Sequence, residues 1–579
     1  MIRLSLLFTV YCILFTGPIY GTTTPDTYAR EVQAHLLIHD PLSACDKARE
    51  GLKLYQDNTV LWEAYISALS EAGFEKEMTL AWQHYSEQFP NPHENRKLIE
   101  NMAWGVIQKA SYSHAPMIRI YALLGAFYGK DARGVHILNR LLKDSNTLIR
   151  LAAIQLSSRL NDASLCDTIA ASYYSEKCAE NRIELIKAIG AMKIKSLKPQ
   201  LVALLSNQKS SAEEKAAAIQ SIINLMDTVE RQELINLTSS PRAGLRLLAC
   251  QAVAHFDLQK DLDLILPLLN DNSSEVRAAV LQLLGILRVD QVQGEKIAAI
   301  ASSRLKDGNP LVALSAAWLL TIHDPENGQK AFLPWFSNGK QELRVLAAAV
   351  LGSCGKYAFP LIQNVFTVST DKFVKLNLAH ALLVNRVDST DASTVLFEAI
   401  NDQNEKLDWE ENGIFRSIIK SENRYTDNPE ENPVALSQLV KLELLNMLAL
   451  IKFPKTQEAV ISFLKQKEWG ISGMAAALLL TEGDESAVDI VRGLLNYPVF
   501  KVRIQAAIIL ALWGQGEDAV QTLQEAYAGA DRDIKERILE AIGRVHSPAS
   551  IPFLLKQLQE PSQKLRIIAA CALLECLYN

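Results

Sequence analysis

From residue 119 to the end of the chain one short line of sequence keeps returning, and a period of this length constrains the fold more than any other feature. It reads Leu148-Ile149-Arg150-Leu151-Ala152-Ala153 in one copy and Glu275-Val276-Arg277-Ala278-Ala279 in another. Leu343-Arg344-Val345-Leu346-Ala347, Val502-Arg503-Ile504 and Leu565-Arg566-Ile567 repeat it further on. With the basic residue as marker, the line falls at 119, 150, 182, 215, 246, 277, 313, 344, 375, 441, 473, 503, 535 and 566. Twelve of these fourteen positions are Arg or Lys, while Ala313 and Gly473 depart. Successive markers stand 30 to 36 residues apart, with one step of 66, and alanine follows the marker by three residues nine times.

One copy shows why the spacing matters. Leu262, Leu264, Ile265, Leu268 and Leu269 predict a first apolar helix, with a kink at Pro267. Asn272 and Glu275 have the spacing of a capping box for a second helix. In that helix Val276, Ala279, Val280, Leu283, Leu284 and Leu287 recur with helical, not strand, periodicity. A pair this small cannot bury its own apolar face and must lean on the pairs before and after it. The small alanines let consecutive second helices approach closely. The predicted class is therefore all-α.

These residues resemble the HEAT-repeat family in its bilin-lyase HEAT-like form. The first-helix proline, the Asp in the turn (Asp144, Asp271, Asp307), the Val-Arg pair and the trailing alanines carry the likeness over roughly residues 115–579. The resemblance implies a right-handed α-α superhelical solenoid of about fourteen repeats. It also implies an inter-repeat ladder of charges, to which Arg150, Asp271, Arg277, Arg344, Arg503 and Arg566 belong. A row of arginines gripping phosphates is the competing use of the same residues. Charges already partnered within a stack, and a net charge of −6, argue against nucleic acid as a partner.

Two segments break the period. In residues 22–110, Tyr28 and Trp62 are 34 apart, as are Ala44 and Met78, and Trp62, Leu69, Gly73, Trp82, Tyr85 and Pro90 sit close to the TPR signature. Two TPR-like hairpins are expected there, ahead of repeats over 111–401 and 434–579. Between the two blocks, the insertion at 402–433 holds nine acidic and four basic residues. Lengthened loops in solenoids gather on one face, often the binding face. Trp409, Phe415 and Tyr425 are the candidate partner contacts in it, a solvated and merely tolerated loop being the alternative.

The chain opens with Arg3 and the charge-free run Leu4–Phe15, followed by Ile19-Tyr20-Gly21. This reads as an export signal over residues 1–21, too short to span a bilayer. The expected destination is the periplasm or cell envelope, or secretion, with no stable membrane span after signal removal. Beyond Cys12, seven cysteines remain, an odd number in mostly apolar helical contexts, which is not a disulfide scaffold. No Walker-type loop, HExxH or Gly-x-Ser-x-Gly elbow occurs. His35 and His39 lie four apart with Cys45 nearby, and no fourth zinc ligand presents itself. No catalytic, cofactor-binding or metal residue is therefore assigned.

The leading expectation is an exported, non-enzymatic scaffold for protein partners, with an extended helical surface. A HEAT-like enzyme or enzyme-assisting protein of the lyase type is a second class, and a self-assembling structural component a third. The third draws on the C-terminus: the last repeat runs out at Cys576-Leu577-Tyr578 with almost no polar cap, an apolar edge suited to self-association or docking.

Overall fold

The computed structural model describes residues 24–387, 389–402, 404–421, 433–465, 485–512 and 516–578. The export segment, Tyr425 and the marker Gly473 lie outside the described residues. The chain forms two compact units: residues 1–122 with 551–578, and residues 123–550. The fold is an all-α solenoid of antiparallel helix pairs, with two antiparallel β-hairpins among the described residues that the all-α expectation did not include.

The first unit begins with five helices: α1 (Pro25–Leu37), α2 (Pro41–Leu54), α3 (Thr59–Glu71), α4 (Glu75–Gln88) and α5 (Arg96–Ala110). Three starts are capped by side chains: Asp40 accepts from the Ser43 N–H, Asn58 from Leu61 and Asn95 from Leu98. Ala29, Leu52 and Leu61 form a buried cluster beneath Tyr28, Tyr55, Trp62 and Tyr65. Backbone contact between α3 and α5 requires Gly105, where a Cβ would stand 2.4 Å from the Ser70 carbonyl oxygen.

In the second unit, the marker-bearing second helices pack one on the next. They are α6 (Thr147–Ser157), α7 (Ala179–Ala191), α8 (Ala212–Leu225), α9 (Ala243–His255), α10 (Ser274–Leu287), α11 (Pro310–His323), α12 (Gln341–Gly352) and α13 (Lys372–Val384). After the insertion follow α14 (Pro433–Leu450), α15 (Phe500–Leu512) and α16 (Arg532–Arg544). The kink expected at Pro267 is present, because the helix Leu262–Ile265 gives way to a 3-10 turn over Leu266–Asn270. The capping box expected from Asn272 and Glu275 does not form. The cap residue is Ser273, and its N–H is held at 2.8 Å by the Asp271 carboxylate.

That carboxylate belongs to a repeated device. The marker guanidinium donates to the backbone carbonyl six residues earlier at positions 119, 150, 246, 277, 344, 503 and 566, always at 2.6–2.9 Å. At four of these positions its other nitrogens reach the carboxylate of the following turn. Arg150 pairs with Glu176 at 2.8 Å, Arg246 with Asp271 at 2.7 Å, Arg277 with Asp307 at 2.8 Å and Arg344 with Asp371 at 2.7 Å. Asp271 and Arg277 thus sit in adjacent rungs: the Asp271 side chain faces Arg246, and Arg277 takes only the Asp271 carbonyl.

The last pair, α17 (Ile551–Gln557) and α18 (Gln563–Tyr578), belongs to the first unit. Arg566 completes its rung on Glu75 of the TPR-like module at 2.7 Å, and the Leu577 carbonyl accepts from Arg96 at 2.9 Å. Tyr578 accepts from Trp104 and donates to Glu100. The C-terminal edge expected to be open is therefore covered. Leu573, Leu574 and Cys576 are fully buried, with α5 of the same chain packed on α18.

Two outcomes follow from the rungs. Arg277→Met strands the Asp307 carboxylate and should cost about 2–3 kcal/mol, somewhat below a fully buried pair, measured as a lowered urea midpoint by circular dichroism. Arg150 holds the Glu176 carboxyl at about 2 instead of 4.5. The stability this contributes is complete above the ordinary glutamate value and lost as pH falls toward 2. The Glu176→Gln protein should accordingly lose less urea resistance than the parent across that window.

Candidate partner-binding groove

On each second helix, the residue five positions after the marker lies one helical turn and a half beyond it. In α6–α9 these residues are Gln155, Lys187, Gln220 and Gln251, and the last three are exposed. In α10, α11 and α13 they are Gln282, Trp318 and His380. Gln282 and Trp318 are 5% and 6% exposed, so this column changes from open to covered between α9 and α10.

The cover is the insertion itself. β1 (Gln291–Val292) and β2 (Glu295–Lys296) are a two-residue hairpin elsewhere, whereas β3 (Leu407–Asn412) and β4 (Phe415–Lys420) form a full one. Leu407 stands opposite Lys420 and Trp409 opposite Ile418. Gly413 opens the two-residue loop with φ of +66°, which suits a hairpin turn with glycine first. The turn also lies against α10, since a Cβ at Gly413 would stand 2.5 Å from the Gln282 amide.

From its turn, β4 crosses the helices one after another. The Phe415 ring meets Trp318 of α11 edge to face at 5.5 Å, and Phe415 is 1% exposed. Two residues of α13 then take hold. Asn377 accepts the Ile418 N–H and donates to the Ile418 carbonyl, both at 2.8 Å, so one buried amide satisfies a strand edge on both counts. His380 meets Trp409 at 5.3 Å, and the Arg416 guanidinium lies 4.1 Å from the Trp409 ring centre. Burial, with Arg416 adding to it, pushes the His380 pKa down to about 4, so this imidazole is neutral at pH 7.

The base of the hairpin is fixed by charge and by α14. The Leu407 N–H donates to Ser437 at 2.9 Å. Lys372 pairs with Asp402 at 3.0 Å and with Glu405, and the Lys441 ammonium donates to the Asp402 carbonyl. Arg416 reaches Glu443 at the surface.

The sequence-predicted contacts therefore divide. Phe415 is spent on the chain's own groove and presents nothing to a partner, which corrects its expected role. Trp409 is half-buried against His380 and Arg416. The groove residues Gln282, Trp318, Asn377 and His380 were not singled out from sequence. The signal for the hairpin was present in Asn412-Gly413 between two short strand-like runs.

His35 and His39 point to Asp40 and Glu71 at 3.5 and 3.6 Å. Among the described residues no group of three His, Cys, Asp or Glu side chains is placed to hold a metal ion. Burial pushes the thiols of Cys45, Cys250 and Cys576 up to about 11, 12 and 12, which keeps them protonated. What the groove can do is grip an extended backbone.

A model of HEAT repeats matches residues 498–575, in keeping with the resemblance of the repeats. No curated protein sequence matches the chain. Among solved structures, Kap121p is similar at 13% identity and a TM-score of 0.30, over 95% of this chain and 69% of that one. The myosin chaperone UNC-45 from C. elegans in complex with a Hsp90 peptide has 12% identity and a TM-score of 0.30, over 93% and 73%. Kap95p with RanGDP has 12% identity and a TM-score of 0.29, over 96% and 88%.

The Asn377 amide has a measurable consequence. Asn377→Leu leaves a buried N–H and C=O of Ile418 unpaired, a loss of about 1–3 kcal/mol for each group. Hydrogen exchange at residues 415–420 should accelerate at least tenfold, while amides of α7 and α8 keep their protection.

Proposed function

We propose that the protein is an exported, non-enzymatic scaffold that holds polypeptide partners along the inner column of its repeats. The observation that carries this reading is the Asn377 clamp on Ile418, since α13 is already seen holding an extended strand through its main chain, one turn from its column residue His380. The open stretch offers the same chemical group, because Gln220 and Gln251 expose primary amides five residues after their markers, where Asn377 stands two after its own, with Lys187, paired to Glu184, in line. A primary amide offers both a donor and an acceptor, which is what a peptide group requires. Export rests on Arg3 and the run Leu4–Phe15. Among the described residues no helix is long and apolar enough to cross a membrane.

Two measurements test the two halves. A photo-crosslinking residue at Gln220 or Gln251 should trap polypeptide in cells, whereas the same residue at Asn236, exposed on a first helix, should not. Equal trapping at all three sites, or none, sinks the inner column as the binding face. Residues 1–24 fused to a reporter that is active only outside the cytoplasm should give activity and a product trimmed after Gly21; an uncut, inactive fusion removes the export assignment.

A further inference from the structure

The hairpin occupies its groove as a ligand would, and its sequence reports what that groove accepts. We propose that the groove over α10–α13 is a docking site for an extended segment of a partner protein, with an aromatic residue followed three positions later by a branched aliphatic one, and that β3–β4 is its resident competitor. This rests on the scaffold reading above and specifies the ligand.

Three observations support it. The Asn377 contacts are made to backbone atoms alone and therefore serve any strand that lies there. Two of its buried side chains are spaced three residues apart: Phe415 against Trp318, and Ile418, fully buried, beside Asn377. The fit of the hairpin is also incomplete, because the Ser417 hydroxyl and the Trp409 indole nitrogen are buried without a hydrogen-bond partner. An occupant that pairs or omits those two groups avoids that desolvation cost.

Direction follows from the order of contacts. The hairpin turn lies over Gln282, and β4 runs from there toward α13. A partner strand in the same orientation sends its residues before the aromatic position over Gln251 and Gln220, the open part of the column. The strand thus has a vacant stretch on which to seat before it displaces the hairpin.

The test uses the full chain and a fluorescein-labelled synthetic peptide with the sequence of residues 407–421, beside a control peptide carrying alanine in place of Phe415 and Ile418. Fluorescence anisotropy should show the F415A/I418A protein, whose own hairpin is weakened, binding the peptide at least tenfold more tightly than the parent. The control peptide should bind neither, and adding Asn377→Leu should remove the gain. Equal binding by the parent and by a folded F415A/I418A protein overturns the proposal, and so does retention of the gain with Asn377→Leu. Loss of helical circular dichroism in F415A/I418A also overturns it, because the hairpin would then be a fixed part of the core. Crosslinking at Gln220 and Gln251 reads the scaffold function separately, so either reading can fail alone.

Discussion

A pair of short helices exposes an apolar face to each side, so every pair in this protein depends on its neighbours for a core. Apolar contact alone is indifferent to small slips in register. The marker guanidinium removes that freedom, because one planar fork ties the carbonyl of its own turn to the carboxylate of the next. The turn carboxylate also holds the N–H of the residue at the start of the next helix, as Asp271 does for Ser273. Turn geometry and stacking are thus fixed together, by a side chain whose charge is never out of reach of a partner. Lysine, a point charge, cannot make both contacts with the same geometry.

The ladder thins where the hairpin lies. The markers at 313, 344, 375 and 441 are Ala, Arg, Lys and Lys, and only Arg344 among them supplies a full rung. Across this stretch β3–β4 provides the bridging: it touches α10 at Gln282, α11 at Trp318, α13 at Asn377 and α14 at Ser437. Of the two lysines, Lys441 is used for the hairpin's base, where the non-marker Lys372 joins it, while Lys375 lies over the Phe366 ring. What looked like an insertion between repeats is a crossing element that stands in for missing rungs.

Much of this was legible in residue spacing. Apolar periodicity specifies helices, and the recurring Arg with its trailing alanine specifies how pairs stack, because both follow from short-range geometry. Two features were not. Apolar character at Phe415 signals burial without saying against what, and a run rich in Asp and Glu reads as solvated although Asn412-Gly413 marks a turn within it. The uncapped C-terminus did announce a surface needing cover. Its partner α5 lies more than 450 residues away in a module of different repeat length, where no local signal connects Arg566 to Glu75.

These two features obey one rule. An apolar edge in a solenoid is costly when it is left bare, so the chain covers it with a segment of its own. At the terminus the cover is extensive, with buried Leu573, Leu574 and Cys576 and a charged rung, and has the character of a permanent joint. In the groove the cover is a two-stranded hairpin held by one amide, two aromatic contacts and charges at its base, and two of its own polar atoms are unpaired. A surface that needs a strand across it, and holds that strand imperfectly, is in the physical condition for exchange. A stretch where the ladder thins is therefore also the stretch where a partner's strand can do for the solenoid what the hairpin now does.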